Sequence, residues 1–335
     1  MIEKDFHDYI ERPLFLPEQD SWPASRHQFD RQSVAAIQAA IYSGRPLLLR
    51  GEPGIGKSQL ARAAAKVLEV PFLCHVVDER SERDDLLYSY DAISRLAEAQ
   101  VSALTARENE DWRARLSECN FFRPGVLWWA FNWDDANTQT DTYETHCRGL
   151  QRPSKPDGWI QKAERHCGPV VLVDEIDKAD PSVPNGLLES LGNEGFQTSQ
   201  MEKPVRVPKE GKPPLVMITT NEERELPAAF LRRCLVLKMR FPEDKSNATE
   251  FLFERARVHF SRDKVSDAIC MQIAERLLQD RAKAQREGLA RPGAAEFLDL
   301  VRILSELCPG KDKAQEQALN EVGVFALSKN MDDVL

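Results

Sequence analysis

No run of this chain is apolar over enough residues to span a bilayer, which argues against an integral helical membrane protein. No CxxC pair is present. The seven cysteines are an odd, scattered set, which suits reduced thiols in a cytosol better than a disulfide framework. Basic charge is in deficit, with 45 Lys and Arg against 54 Asp and Glu, for a net charge of −9. A protein that coats nucleic acid usually shows the opposite balance. There is no internal repeat with a period of about 20 to 50 residues, so a solenoid is not indicated. The first residues, MIEKDFHDYIERP, are acidic and polar, and read as neither a signal nor a transit peptide. What remains is an ordinary globular composition, 42% hydrophobic and 30% charged over 335 residues, enough for one large domain or two smaller ones.

Pattern along the chain divides it. Residues 1–25, rich in Pro and charge, read as an irregular arm. After Asp30, a plausible N-cap, Val34, Ile37 and Ile41 recur at helical spacing until Gly44 and Pro46 break the pattern. Short apolar runs predict five buried strands, at Pro46–Arg50, Phe72–Val77, Val170–Val173, Leu215–Thr219 and Leu235–Leu237. Helices are expected between them, one carrying Leu60, Ala64, Val67 and Leu68, another carrying Val183, Leu187, Leu188 and Leu191. Residues 80–168 read as an insertion, with a helix over Asp91–Ala106, an aromatic segment FFRPGVLWWAFNW, and a polar tract, DDANTQTDTYETHCRGLQRPSKPDG, expected to be a long loop. After Pro242 helical periodicity takes over. The organisation expected is an arm at 1–27, an α/β domain at 28–242 and a small all-helical domain at 243–335.

GEPGIGKS, Gly51 to Ser58, fits GxxxxGK[ST] after a predicted strand and at the start of a predicted helix. Gly51, Glu52, Pro53, Gly54, Ile55 and Gly56 make up the loop whose backbone N–H groups, Pro53 having none, would wrap phosphates. Lys57 would reach the β- and γ-phosphates, Ser58 would bind Mg²⁺, and Gln59 follows on the helix. In VVLVDEIDKAD, Asp174 emerges at the C-terminal end of a buried strand, the edge that faces ligand in open α/β sheets. Asp174 would hold Mg²⁺, and Glu175 would orient or deprotonate an attacking water. Asp177 and Asp180 read as solvated or capping residues. Asn221 follows the fourth strand at the same edge, where a neutral amide can hold the lytic water or a γ-phosphate oxygen. Arg232 and Arg233 stand together just before the fifth strand. Arginine grips phosphate well, but the competing reading pairs both with local acids such as Glu222, Glu223 or Glu225.

The series Lys57, Asp174–Glu175, Asn221, Arg232–Arg233 resembles an AAA+ ATPase, and more narrowly the MoxR-like branch. The segments that carry the resemblance are GEPGIGKSQLARAAA, FFRPGVLWWAFN ahead of LVDEIDKADPSVPNGLLESL, TTNEERELPAAFLRRCLVLKMRFPE, RPGAAEFLDLVRIL and FALSKNMDDVL, together reaching from about residue 28 to 335. It implies a P-loop AAA+ core, a five-stranded parallel sheet between helices, followed by a helical lid. It further implies ATP and Mg²⁺, hydrolysis to ADP and phosphate, and assembly into a ring, usually a hexamer. Asn221 would be sensor 1, Arg233 or Arg232 an arginine finger reaching the neighbour's nucleotide, and Arg291 sensor 2. Arg233 aligns with the arginine the family uses, while Arg232 stands where an acid is common. Arg291 is followed by Pro292–Gly293, where relatives often carry Pro and a hydroxyl residue. Relatives act as chaperone-like remodellers, often with a separate protein bearing a von Willebrand factor A-type domain.

Other features carry less. The aromatics of FFRPGVLWWAFNW read as packing anchors rather than a substrate-facing surface. His146–Cys147 and His166–Cys167 form two matched pairs, but adjacent ligands suit a tetrahedral metal poorly. Arg276, Arg281, Lys283 and Arg286 read as a solvated helix face among acids. The alternative function is an ATPase motor of a nucleic-acid-acting or defence complex, against which the acidic balance counts. A small-molecule kinase would share the P-loop but not the Asn221 and arginine series, and a non-hydrolysing scaffold would not need Glu175.

Overall fold

Five apolar runs become the strands of one parallel sheet: β1 Leu47–Arg50, β2 Phe72–Val76, β3 Val170–Asp174, β4 Leu215–Thr220 and β5 Leu235–Lys238. The computed structural model describes residues 2–105, 112–147, 149–161, 166–201 and 203–327. The strand order is β5-β1-β4-β3-β2. Leu215 pairs with Val170 and Ile218 with Val173, and on the other side of β3 Val76 lies opposite Asp174. Leu47–Leu49 and Val170–Val173 are fully buried, as expected of strands covered on both faces. Parallel strands need crossover connections, and helices such as Lys57–Leu68, between β1 and β2, and Ser182–Gly192, between β3 and β4, supply them. The register brings the carboxyl ends of β3 and β4 side by side, which is what places the acids of one next to the asparagine after the other.

The chain forms two compact units that alternate in sequence. The first comprises residues 1–7, 31–49 and 61–237, and the second residues 8–30, 50–60 and 238–335. In the second, helices Lys245–His259, Asp267–Glu287, Ala294–Leu307 and Asp312–Leu327 close around Leu252, Ile273, Leu277, Phe297, Val301 and Leu304. Ile55 of the glycine loop belongs to the same core. The end of FALSKNMDDVL, residues 328–335, lies outside the described residues.

Two stretches depart from the sequence expectations. Residues 1–25 are not irregular: Ile2–Glu11 is a helix with Phe6 buried, ended by Pro13, and Leu14–Leu16 pairs antiparallel with Ser25–His27. Leu14 and Leu16 point inward while Phe15 between them is exposed, the period-2 pattern of a strand, hidden in the sequence by its length of three residues. The polar tract is also ordered differently, with a helix over Trp133–His146. Its N-cap, Asn132, accepts the Asp135 N–H at 3.1 Å. Ala136, Thr140 and Tyr143 recur at helical spacing on its buried face. Thr140 satisfies its hydroxyl on the Ala136 carbonyl at 2.8 Å, so a short polar residue is buried inside a helix without an unpaired donor. The side chain of His146 and all of Arg148 lie outside the described residues.

The aromatics of the insertion pack it together. Trp129 meets Trp133, and Trp133 meets Trp159, each edge to face with centroids 5.0 Å apart. The antiparallel pair Tyr88–Tyr90 and Phe122–Pro124 leads into Asp91. Burial works against charge on Asp91, yet hydrogen bonds from Ser94, Tyr143 and Arg123 hold its carboxyl well below the usual range.

A buried basic group marks the second unit. His27 is held neutral, its pKa lowered to about 3 by burial and then by Arg255 and His259, with Asp30 opposing. Its Nε2 is shut off from solvent. His259 is lowered to about 4 by burial and by Arg255, Arg302 and Arg26. An unfolded His27 takes up a proton below about pH 6.5, while the folded one does so only near 3. The unfolded chain therefore binds more protons in that window, and stability falls as pH drops from 6.5. Between pH 6.5 and 5 we expect a loss of roughly 1–2 kcal/mol from this ring, seen as a falling urea midpoint. A His27→Gln chain should show a flatter profile, and an equal slope in both chains would remove His27 as the cause.

Candidate functional site

The glycine loop follows β1 and ends where Lys57 opens its helix. Gly51 and Gly54 are required by space: a Cβ on Gly51 would lie 2.1 Å from the Met239 carbonyl oxygen, and one on Gly54 2.6 Å from the Ala295 Cβ. Gly54 also has φ +73°, which disfavours any side chain. Lys57 is nearly buried, and its Nζ donates to the carbonyls of Gly51 at 2.7 Å and Glu52 at 3.0 Å. The ammonium is thereby arched over the loop it starts from. Ser58 and Gln59 follow in the first turn, and Gln59 Oε1 accepts from the Ser25 hydroxyl at 3.2 Å. A glycine-rich turn at a helix start, closed over by a buried cation, fits a polyphosphate.

Glu52 has a role the sequence did not disclose. Its two carboxylate oxygens accept from Arg281 Nη2 at 2.5 Å and Arg291 Nη2 at 2.7 Å. Arg281 also donates to the Pro292 carbonyl at 3.0 Å and lies 4.1 Å above the Phe241 ring. Its side chain is only 11% exposed, so the reading of Arg281 as part of a solvated face is corrected. A helix face of mixed charge hides such a residue because its partner is 229 positions away. Arg291 is thus tied to the glycine loop through Glu52.

At the sheet edge, Glu175 takes a left-handed conformation, φ +59°. That is costly for a residue with a Cβ, and such strain tends to collect at functional positions. Its N–H is held by the Thr219 hydroxyl at 2.9 Å, and the same hydroxyl donates to Asp174 Oδ1. The Glu175 carboxylate meets Asn221 Nδ2 at 3.2 Å through one oxygen and Lys178 Nζ at 2.6 Å through the other. The hydrogen bond and charge of Glu175 raise the Lys178 pKa. Cys74 on β2 is pushed up to about 12 by burial and by the Asp174 charge, so that thiol stays protonated. Asp177, read from sequence as solvated or capping, is not solvated, with 2% of its surface exposed. Its carboxylate accepts the N–H groups of Asn221 at 3.4 Å and Glu223 at 2.9 Å. Burial is tolerated because those bonds replace water. Asp180 does cap, accepting the Ser182 N–H at 2.9 Å.

Arg232 and Arg233 end the helix Ala228–Arg233 and are exposed. Among the described residues neither guanidinium pairs with a carboxylate, so Glu222, Glu223 and Glu225 do not account for them. Their carbonyls are held instead: Arg45 donates to the oxygens of Arg232 at 2.7 Å, Arg233 at 3.1 Å and Cys234 at 3.0 Å. One arginine thereby caps the C-terminal carbonyls that a helix leaves unpaired.

Thr219, Asp177, Arg45 and Arg281 are what sequence reasoning missed. Only Thr219 had a signal, a hydroxyl inside a fully buried strand, which must find a partner. Among the described residues no three His, Cys, Asp or Glu side chains gather as a metal set. Among the described residues no disulfide joins two cysteines, and no helix is long and apolar enough to cross a membrane.

A search of curated proteins finds no match. Among solved structures, the chain is similar to a candidate ATPase from Cytophaga hutchinsonii, with 15% identity over 87% of this chain and 79% of that one, at a TM-score of 0.37. The model of the AAA domain, dynein-related subfamily, matches residues 46–234, from β1 through the Arg232–Arg233 pair. With more than half of its length matched, the chain belongs to the dynein-related subfamily of AAA domains and is an ATPase of that family.

Proposed function

We propose that this ATPase hydrolyses ATP at junctions between its own copies, in a ring that is most simply a hexamer, and that the cycle remodels a partner protein in the MoxR-like manner. The observation that carries this reading is the exposed Arg232–Arg233 pair, which has no carboxylate partner among the described residues and whose backbone Arg45 holds firm. Two adjacent cations presented this way suit an anion from outside the chain. Arg233 is the finger in this reading, with Arg232 beside it.

The residues present fit ATP and Mg²⁺. The loop Gly51–Gly56 and Lys57 are the groups offered to the phosphates, and Ser58 and Asp174 are each offered as a ligand for the metal. Bound there, Mg²⁺ would neutralise phosphate charge. Glu175 keeps lone pairs beyond those used by Lys178 and Asn221, so it can accept a proton from water. Asn221 steers that carboxylate through its amide. Arg291, next to the loop through Glu52, serves as sensor 2. The partner is a separate chain, in the family pattern one with a von Willebrand factor A-type domain. The odd, scattered set of cysteines suits a cytoplasmic setting.

The test is phosphate release per subunit as a function of protein concentration, with Mg²⁺ and no partner. The specific rate should rise as sizing shows assembly. A rate that stays flat down to concentrations where the protein is monomeric would reject the shared site. Transfer of phosphate to a small acceptor without free phosphate would favour a kinase instead.

A further inference from the structure

The ends of β3 and β4 are tied to each other twice, in opposite directions. From β4, the buried Thr219 hydroxyl uses both its donor and an acceptor position on β3's acids, giving to Asp174 Oδ1 and receiving the Glu175 N–H. From the β3 side, Asp177 holds the N–H groups of Asn221 and Glu223 with its two oxygens. Between those two, Glu222 stands at φ +63° with its N–H on the Thr220 hydroxyl at 3.0 Å. Three consecutive amides of the asparagine loop are therefore fixed by side chains. The product of both ties is the 3.2 Å contact between Asn221 and Glu175.

We propose that Thr219 and Asp177 are positioning residues for hydrolysis, setting Glu175 against Asn221 without touching substrate themselves. The left-handed backbone of Glu175 needs such a tie, because an unrestrained residue with a Cβ would relax away from it. Removing the hydroxyl leaves the Glu175 N–H without the acceptor that fixes it. A shift of about 1 Å at a reacting group can cost on the order of 100-fold in rate. The proposal rests on the roles given above to Glu175 and Asn221.

The experiment compares full-length Thr219→Val, Thr219→Ser and Asp177→Asn with the parent. In nucleotide-free protein, amide hydrogen exchange at Glu175 should be at least about tenfold faster in Thr219→Val and near the parent rate in Thr219→Ser. Binding of a fluorescent ADP analogue and KM for ATP should stay within about threefold, while kcat falls roughly 10- to 100-fold in the valine chain and is rescued by serine. Asp177→Asn should speed exchange at Asn221 and Glu223 and lower kcat in the same way. Parent-like exchange at Glu175 in Thr219→Val, or faster exchange with kcat within about twofold of parent, overturns the proposal. Should the valine chain not fold, Asp177→Asn decides by the same readings. Glu175→Gln run in parallel separates the two levels. If it too keeps hydrolysing, the assignment of Glu175 is what failed; if it alone is inactive while Thr219→Val turns over normally, the positioning claim is.

Discussion

A Glu175→Gln chain should bind ATP as the parent does and hydrolyse it about 10²- to 10⁴-fold more slowly, the range a general base supplies. The substitution is nearly isosteric and keeps an oxygen that can face Asn221 Nδ2. The backbone tie from Glu175 N–H to the Thr219 hydroxyl does not involve the side chain at all. What is lost is the negative charge and its basicity, together with the ion pair to Lys178. That pair is partly exposed, 38% and 29% for the two side chains, so its loss should cost little stability. Binding should survive because the phosphate loop and Lys57 are untouched. The checks are single-turnover phosphate release and equilibrium binding of ATP. Turnover close to the parent's would mean that another group takes the proton.

An Arg233→Ala chain should retain ATP binding and lose about 10³- to 10⁵-fold in turnover, the contribution measured for arginine fingers. The fold should be indifferent to the change. The side chain is exposed, and the hydrogen bond that Arg45 makes to residue 233 goes to its carbonyl, which alanine keeps. Arg232→Ala should cost far less if Arg233 is the finger, and the two effects should exchange if it is not. Mixing Arg233→Ala with Glu175→Gln chains adds a sharper reading. A junction that joins the intact Glu175 of one chain to the intact Arg233 of another would regain activity from two inactive parents. Near-normal turnover in Arg233→Ala alone would defeat the finger.

How much of this was legible beforehand depends on the range of the interactions. The sheet was readable because its strands are buried on both faces and so appear as uninterrupted apolar runs, Val170–Val173 above all. The glycine loop and the acids could be named as candidates because the pattern is local, with a cation, glycines and a hydroxyl within eight residues. The helix Trp133–His146 was not. Its polar residues carry no apolar stripe beyond Trp133, Ala136 and Tyr143, and its stability comes from capping and packing against a distant Trp159. Asp177 and Arg281 were misjudged for one reason. A charged residue looks solvated until its partner is known, and these partners lie 44 and 46 residues away in one case and 229 in the other.

The alternation of the two units along the chain has a practical corollary for dissection. No single cut separates them. A fragment starting near residue 238 would keep the helices but lose Ile55 from their core, and with it the segments 8–30 and 50–60 that complete the unit. It would also lose the hydrogen bond from Arg26 to the Val258 carbonyl and the His27 ring beside Arg255. Trimming the first thirty residues as a dispensable tail would injure the C-terminal half of the protein, not merely its beginning. Engineering that keeps the chain whole, such as circular permutation at an exposed turn, respects this architecture where truncation does not.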